Sequence, residues 1–201
     1  MKQYNTAALL QSQKAQTENL IDIAVQQWQM IPPAKFSKQP AENAWSAKQC
    51  LAHLNSYGDY YLLQIEKAIL LAKEKKLQPA EIFVPGIVGN YFTNIMKSGP
   101  DGEPVKKMKS PKSHSPVNNG GSNMIIAEFI NQQEKLLQLL DAATHINISK
   151  AKVPVSIAKF IKLKLGDVFM FLIAHNMRHT IQAQRALQAA GIKTEIITTK
   201  I

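Results

Sequence analysis

The chain has 201 residues, of which 45% are hydrophobic and 19% are charged, and its formal net charge is +10 at pH 7. The apolar fraction is too high for a disordered chain, and 9 glycines and 10 prolines are too few for a low-complexity one. No apolar run approaches the roughly 20 residues that span a bilayer, and the single cysteine, Cys50, excludes an intramolecular disulfide. These features predict one soluble domain over residues 1–201, in a reducing cytoplasm and without membrane association.

The first half of the chain contains two segments with helical periodicity. The first covers residues 2–30 and is expected to end at Pro32, because proline excludes the residue before it from helical geometry. The second begins with Ser46 as the N-cap and Gln49 as its capping-box partner, and it ends near Leu77. Both segments are amphipathic, so each is expected to bury one face.

Helical periodicity then fails between Gln78 and Gly121, where glycines and prolines are frequent. A short helix is predicted near Ile87–Met96. We expect residues 98–121 to form a mobile loop that carries a cluster of lysines.

Two further helices are predicted in the second half. The third begins at Ser122, and the fourth runs from Gly166 to Ala190, with Gly191 suited to the position that follows a helix. The connection between them alternates apolar and charged residues near its end, which indicates an extended segment. Four amphipathic helices, with a long crossover between the second and third, predict an all-α four-helix bundle.

Three of the five histidines form a candidate metal site. His175 and His179 are four residues apart and therefore share one helix face, and His53 lies on the apolar stripe of the second helix. Three neutral imidazoles bind Zn²⁺, Ni²⁺ or Co²⁺ and leave positions open for water or substrate. The alternative is that they are hydrogen-bonded packing residues. His114 and His145 fall in connections, where we expect solvent or local hydrogen bonds.

Four neighbouring side chains are candidates for substrate or outer contacts. Arg178 suits either an anionic substrate group or a carboxylate on a neighbouring helix. Gln182 follows His179 by three residues and is either a contact of the site or an interhelical glutamine. Tyr57 and Tyr60 lie on the side of His53, where they line a cavity or belong to the core.

Nucleic-acid binding is not expected despite the positive charge. Lysines cluster within residues 106–112 and 150–164, which can contact phosphates. However, no aromatic residues interleave the first cluster, and no helix-turn-helix or zinc-finger pattern is present. Solvated lysine faces are the simpler interpretation.

Several short motifs together resemble the DinB-like superfamily of four-helix bundles. They are Trp45-Ser46, Leu51-Ala52-His53-Leu54, Leu165-Gly166-Asp167 and the segment from His175 to Gln182. The family pattern on the fourth helix is H-x-x-R-H-x-x-Q, and in this sequence the two histidines are four residues apart, with Arg178 just before the second and Gln182 three residues after it.

The resemblance implies a divalent metal ion held by one histidine of the second helix and two of the fourth, which correspond to His53, His175 and His179. Characterised relatives include S-transferases that use a low-molecular-weight thiol and a maleylpyruvate isomerase. The resemblance therefore implies a metal-dependent enzyme, either a thiol-dependent S-transferase or a hydrolase that uses metal-bound water, acting on a small-molecule substrate.

Two other functions are compatible with the sequence. One is a non-catalytic helical module that binds a ligand or dimerises, since relatives often pair through their helices. A less favoured one is a basic protein that binds an anionic polymer.

Overall fold

The structure is a computed structural model that describes residues 2–99, 106, 108–116 and 124–195. It is mostly helical, as predicted, with two small antiparallel strand pairs. The described helices are α1 (Thr6–Ile23), α2 (Pro33–Phe36), α3 (Ala47–Glu74), α4 (Ile87–Met96), α5 (Ile125–Ala143) and α6 (Leu165–Ala189). The strands are β1 (Tyr4–Asn5), which pairs with β2 (Ile82–Phe83), and β3 (Lys152–Val155), which pairs with β4 (Ala158–Lys164). No described helix is both long and apolar enough to cross a membrane.

The four long helices enclose the core. α3 packs against α5 and α6, and α1 packs against the same two helices from the other side. Trp28 and Phe129 are fully buried between α1 and α5, with their ring centroids 5.9 Å apart. α4 lies outside this group and packs mainly against α6.

The first helix begins later than its periodicity predicts. Residues 4 and 5 form β1, and the Asn5 side chain accepts a hydrogen bond from the backbone N–H of Ala8, which caps α1. The predicted end is close to the observed one, because α1 continues through a π-helical turn at Ala24–Trp28 before Pro32. An asparagine that accepts from the third residue after it is a common helix start, so the strand pairing and the cap together exclude residues 2–5 from the helix.

Local signals elsewhere are confirmed. The Ser46 side chain accepts from the Gln49 N–H at 3.2 Å, and the Gln49 side chain accepts from the Ser46 N–H at 3.0 Å. The short helix at Ile87–Met96 is present, the extended segment is β4, and Gly191 has φ +82° after α6. The predicted cap at Ser122 lies outside the described residues, as does much of the loop predicted to be mobile. Within the described part of that loop, the turn at Lys112–His114 contacts α3.

Two glycines allow α4 to approach α6. The Asp167 carboxylate on α6 accepts from the Gly86 N–H at 3.0 and 3.2 Å, just before α4 begins. A Cβ atom at Gly89 would lie 2.3 Å from Cγ and 2.4 Å from Cβ of Asp167. These contacts are too close for any side chain, so the position of α4 depends on glycine here.

Gly89→Ala is therefore expected to destabilise the protein. On an open helix this change stabilises by up to about 1 kcal/mol through helix propensity. Here the clash with Asp167 outweighs that gain, and we expect a loss of about 1–3 kcal/mol in the free energy of unfolding, measured by urea denaturation. Asn94→Ala, at an exposed position of the same helix, is the control and should change stability little. An unchanged or higher stability of Gly89→Ala would show that α4 does not depend on this contact.

Candidate metal centre

His53 on α3 and His175 and His179 on α6 lie together in the interior. Their side chains are 3%, 2% and 9% exposed, and one ring nitrogen from each lies within 4.8 Å of the others. Nε2 of His53 is 3.1 Å from Nε2 of His175. The one-turn spacing on α6 and the contact of α3 with α6 together bring the three rings to one point.

Two of the three rings are oriented by acceptors behind them. Nδ1 of His53 donates to the backbone carbonyl of His114 at 2.6 Å, and Nδ1 of His179 donates to Oε1 of Gln182 at 2.8 Å. Both partners are oxygen acceptors, so the proton of each neutral ring is on Nδ1. The lone pair of each ring is therefore on Nε2. Such acceptors are the usual partners of metal-ligating histidines.

The three rings are neutral at neutral pH. Burial, which disfavours the charged form, lowers the pKa of His53 to about 4 and that of His179 to about 3. Burial also lowers the pKa of His175 well below its usual value, and the neighbouring His179 and His53 rings lower it further. The neutral imidazole is the form that binds metal ions.

The geometry of this donor set fits a divalent ion. Two nitrogens that each lie about 2.1 Å from an ion are about 3.0 Å apart at a right angle and about 3.4 Å apart at the tetrahedral angle. The 3.1 Å between the Nε2 atoms of His53 and His175 falls within this range. Nδ1 of His175 is buried without a hydrogen-bond partner among the described residues, so no donor there forces the proton of this ring onto Nε2. The buried histidine cluster is thus compatible with metal binding.

A cavity of about 110 Å³ opens beside the histidines, which form part of its wall. Aromatic rings enclose its inner end: the Tyr57 ring is 4.4 Å from the His175 ring and 5.0 Å from the His53 ring, and Phe171 stacks on His175 at 5.7 Å. Trp45 also lines the cavity, and its ring lies 5.0 Å from the His53 ring. An aromatic wall on this side keeps bulk water away from the imidazoles.

The other predicted residues have different positions. Tyr57 lines the cavity, whereas Tyr60 is half-buried, packs against Tyr61 at 5.1 Å and is not part of the described lining. Gln182 contacts His179, as described above. Arg178 lines the cavity, but its described partners are the backbone carbonyls of Ile95 (2.9 Å) and Lys106 (2.8 Å) and not a carboxylate of a neighbouring helix.

His114 also contributes to the site, which the sequence did not predict. The expectation that this residue is solvated is wrong, because its side chain is 7% exposed and its ring lies 4.0 Å from that of Tyr57. Nδ1 of His114 is 3.1 Å from Oγ of Ser56, so both its ring and its carbonyl contact α3. A carbonyl acceptor exists at every residue, so the sequence carries no signal for this bond. His145 is exposed, as expected.

Trp45, the residue before the helix cap, also belongs to this site. Its ring packs beside those of His53 and His179, at 5.0 and 5.7 Å between centroids. Ser46 therefore caps α3, and Trp45 beside it lines the histidine cavity.

Comparison with known proteins identifies the family. Neither the curated proteins nor the solved structures gave a match to the chain. The family model described as the DinB superfamily matches residues 14–183, which include α3, α6 and all three histidines. Because this match covers most of the sequence, the chain belongs to the DinB superfamily.

Proposed function

We propose that this protein is a divalent-metal-dependent enzyme in which α1, α3, α5 and α6 form a four-helix bundle around the ion. The ligands are the Nε2 atoms of His53, His175 and His179. The observation that carries the proposal is the convergence of three buried, neutral imidazoles, two of which are turned by acceptors so that Nε2 faces the common centre.

The proposed reaction is the addition or transfer of a thiol, or hydrolysis, at a small electrophilic substrate. A divalent ion supplies a nucleophile at neutral pH by lowering the pKa of a thiol or water that it binds. The residues of the chain supply the rest: His114 and Gln182 hold two imidazoles in the required tautomer, and Trp45 and Tyr57 exclude water from the inner wall.

The chain does not supply a thiol of its own to this cavity. Its single cysteine, Cys50, is fully buried, and burial raises the pKa of its thiol. A thiol reaction therefore requires a low-molecular-weight thiol as a second substrate, which is the cofactor that the family resemblance implies.

The charges beside the cavity favour a substrate with an anionic group. Arg178 and Lys109 line it, and the described lining contains no aspartate or glutamate. The two hydrogen bonds that Arg178 makes to backbone carbonyls use two of the five N–H donors of its guanidinium group. The substrate is thus proposed to be a small electrophile that carries a carboxylate or a similar anion.

A second candidate is a non-catalytic ligand-binding module. It is favoured by the mostly aromatic and aliphatic wall of the cavity, which suits retention of an apolar ligand as well as a reaction. A homodimer and a cytoplasmic location remain predictions.

Metal binding is tested on protein purified without a histidine tag. We expect about one divalent ion per chain by elemental analysis, or a stabilisation of about 2.7 kcal/mol when Zn²⁺ or Ni²⁺ is added at a hundredfold excess over its Kd. His53→Ala should lose most of this affinity, because only two imidazoles remain. His145→Ala removes an exposed histidine and is the control. Absence of both bound ion and stabilisation in the wild type would refute the metal site.

The orienting role of Gln182 has a separate test. Gln182→Leu removes the acceptor of His179 Nδ1 and should weaken Zn²⁺ binding about 10–100-fold, measured by competition with a chelator. Gln182→Glu retains an acceptor oxygen and should restore the affinity. Gln138→Leu, on the exposed surface of α5, should leave it unchanged. Equal affinity in all four proteins would exclude this role.

A thiol-consumption screen distinguishes the proposed enzyme from the ligand-binding module. Metal-loaded wild type is expected to consume a low-molecular-weight thiol in the presence of small carboxylate-bearing electrophiles, or to hydrolyse activated esters. Metal-free protein and His53→Ala should be inactive in the same assay. If the metal-loaded protein binds these compounds but does not convert them, the result contradicts the proposed enzymatic function and favours the ligand-binding module.

A further inference from the structure

A second cavity, of about 140 Å³, lies between α1, the C-terminal end of α4 and α6. Its residues differ from those of the histidine cavity except for Arg178, which lines both. The histidines do not line it. The proposed enzymatic function makes no use of this space.

Two buried polar side chains in the wall of this cavity have no hydrogen-bond partner among the described residues. They are Gln13 on α1, at Oε1, and Thr93 on α4, at Oγ1. Gln13 is 7% exposed and Thr93 is 3% exposed, so bulk water does not reach them freely. Buried polar atoms are normally paired, and an unpaired one costs stability, so each of these atoms indicates a missing partner.

The same wall is positively charged. Lys2, Lys97 and Arg178 line the cavity, and its described lining contains no acidic residue. The described ion pairs, Lys14 with Asp141 and Lys135 with Glu66, involve none of these three cations. An anion that enters therefore gains attraction without competing with a carboxylate of the protein.

The rest of the wall is apolar. Met170, Met177 and Ile181 of α6 are buried and face this space together with Leu9 of α1. Such a surface suits a short hydrocarbon chain, and it makes the entry of a doubly charged phosphate costly, because little water remains to solvate it.

We propose that this cavity is a binding site for a small carboxylate with a short apolar chain that also carries a hydroxyl group. The carboxylate contacts Lys97 and accepts a hydrogen bond from the Thr93 hydroxyl. The second polar group donates to Oε1 of Gln13, and the chain packs against Met170 and Met177. The proposal is independent of the metal site, because it uses no histidine.

The probe for this site is 2-hydroxybutyrate, whose binding to the full chain is measured by calorimetry in the presence of a chelator. We expect millimolar or tighter binding, with the uncharged 2-hydroxybutyramide bound at least tenfold more weakly. Lys97→Met, which removes the charge and keeps an apolar chain of similar length, and Thr93→Val, which removes only the hydroxyl, should each weaken binding about tenfold. Lys67→Met removes the same charge from an exposed position on α3 and should bind like the wild type.

Thr93→Val is expected to fold with a melting temperature equal to or above that of the wild type, because it removes a buried hydroxyl without a partner. Inorganic phosphate and His53→Ala complete the test. Phosphate should bind more weakly than the carboxylate, and His53→Ala should leave the Kd of the carboxylate unchanged.

Four results would overturn the proposal: no binding at millimolar carboxylate, equal binding by Lys97→Met and wild type, tighter binding of phosphate, or loss of binding in His53→Ala. The last result would place the anion in the histidine cavity. Failure here leaves the metal-binding measurements unaffected, so the two proposals are tested separately.

Discussion

Three imidazole rings are buried where α3 meets α6, and each polar nitrogen there needs a partner that water cannot supply. The protein meets this requirement with a backbone carbonyl from the 112–114 turn for His53 and with the amide of Gln182 for His179. Nδ1 of His175 has no hydrogen-bond partner in the part of the chain that the structure describes. Burying the ring nitrogens of three histidines costs free energy. A bound cation would reduce this cost, because it pairs with three nitrogen lone pairs at once.

The segments outside the four long helices complete the cavity beside these rings. The Asp167 carboxylate binds the N–H of Gly86 and so fixes the start of α4, whose Phe92 and Met96 line the cavity. The hydroxyl of Tyr61 accepts from the N–H of Ser156 at 3.2 Å, which anchors the turn between β3 and β4 as another wall. The long helices therefore position the histidines, while the connections determine the shape of the space that a substrate would occupy.

Features with local signals were predictable from the sequence, and features that depend on distant backbone atoms were not. The Ser46–Gln49 capping box, the one-turn spacing of His175 and His179 and the glycine after α6 each depend on a few neighbouring residues. The carbonyls that hold His53 and Arg178 are 61 and 83 residues away from them, and a carbonyl has no residue-type signature. Pairing of Tyr4 with Phe83 is also non-local, so helical periodicity alone extended the first helix too far.

The net charge of +10 is informative about ligand binding only where the charged side chains line a cavity. Arg178 contributes to both cavities, Lys109 adds to the histidine cavity, and Lys2 and Lys97 add to the second. Neither described lining contains an acidic side chain, so the local field at both openings favours anions over cations. The two cavities have volumes of about 110 and 140 Å³, which is the size expected for the small ligands proposed above. At these two places the charges of the lining and the volumes of the cavities both support the proposals that their ligands are small anions.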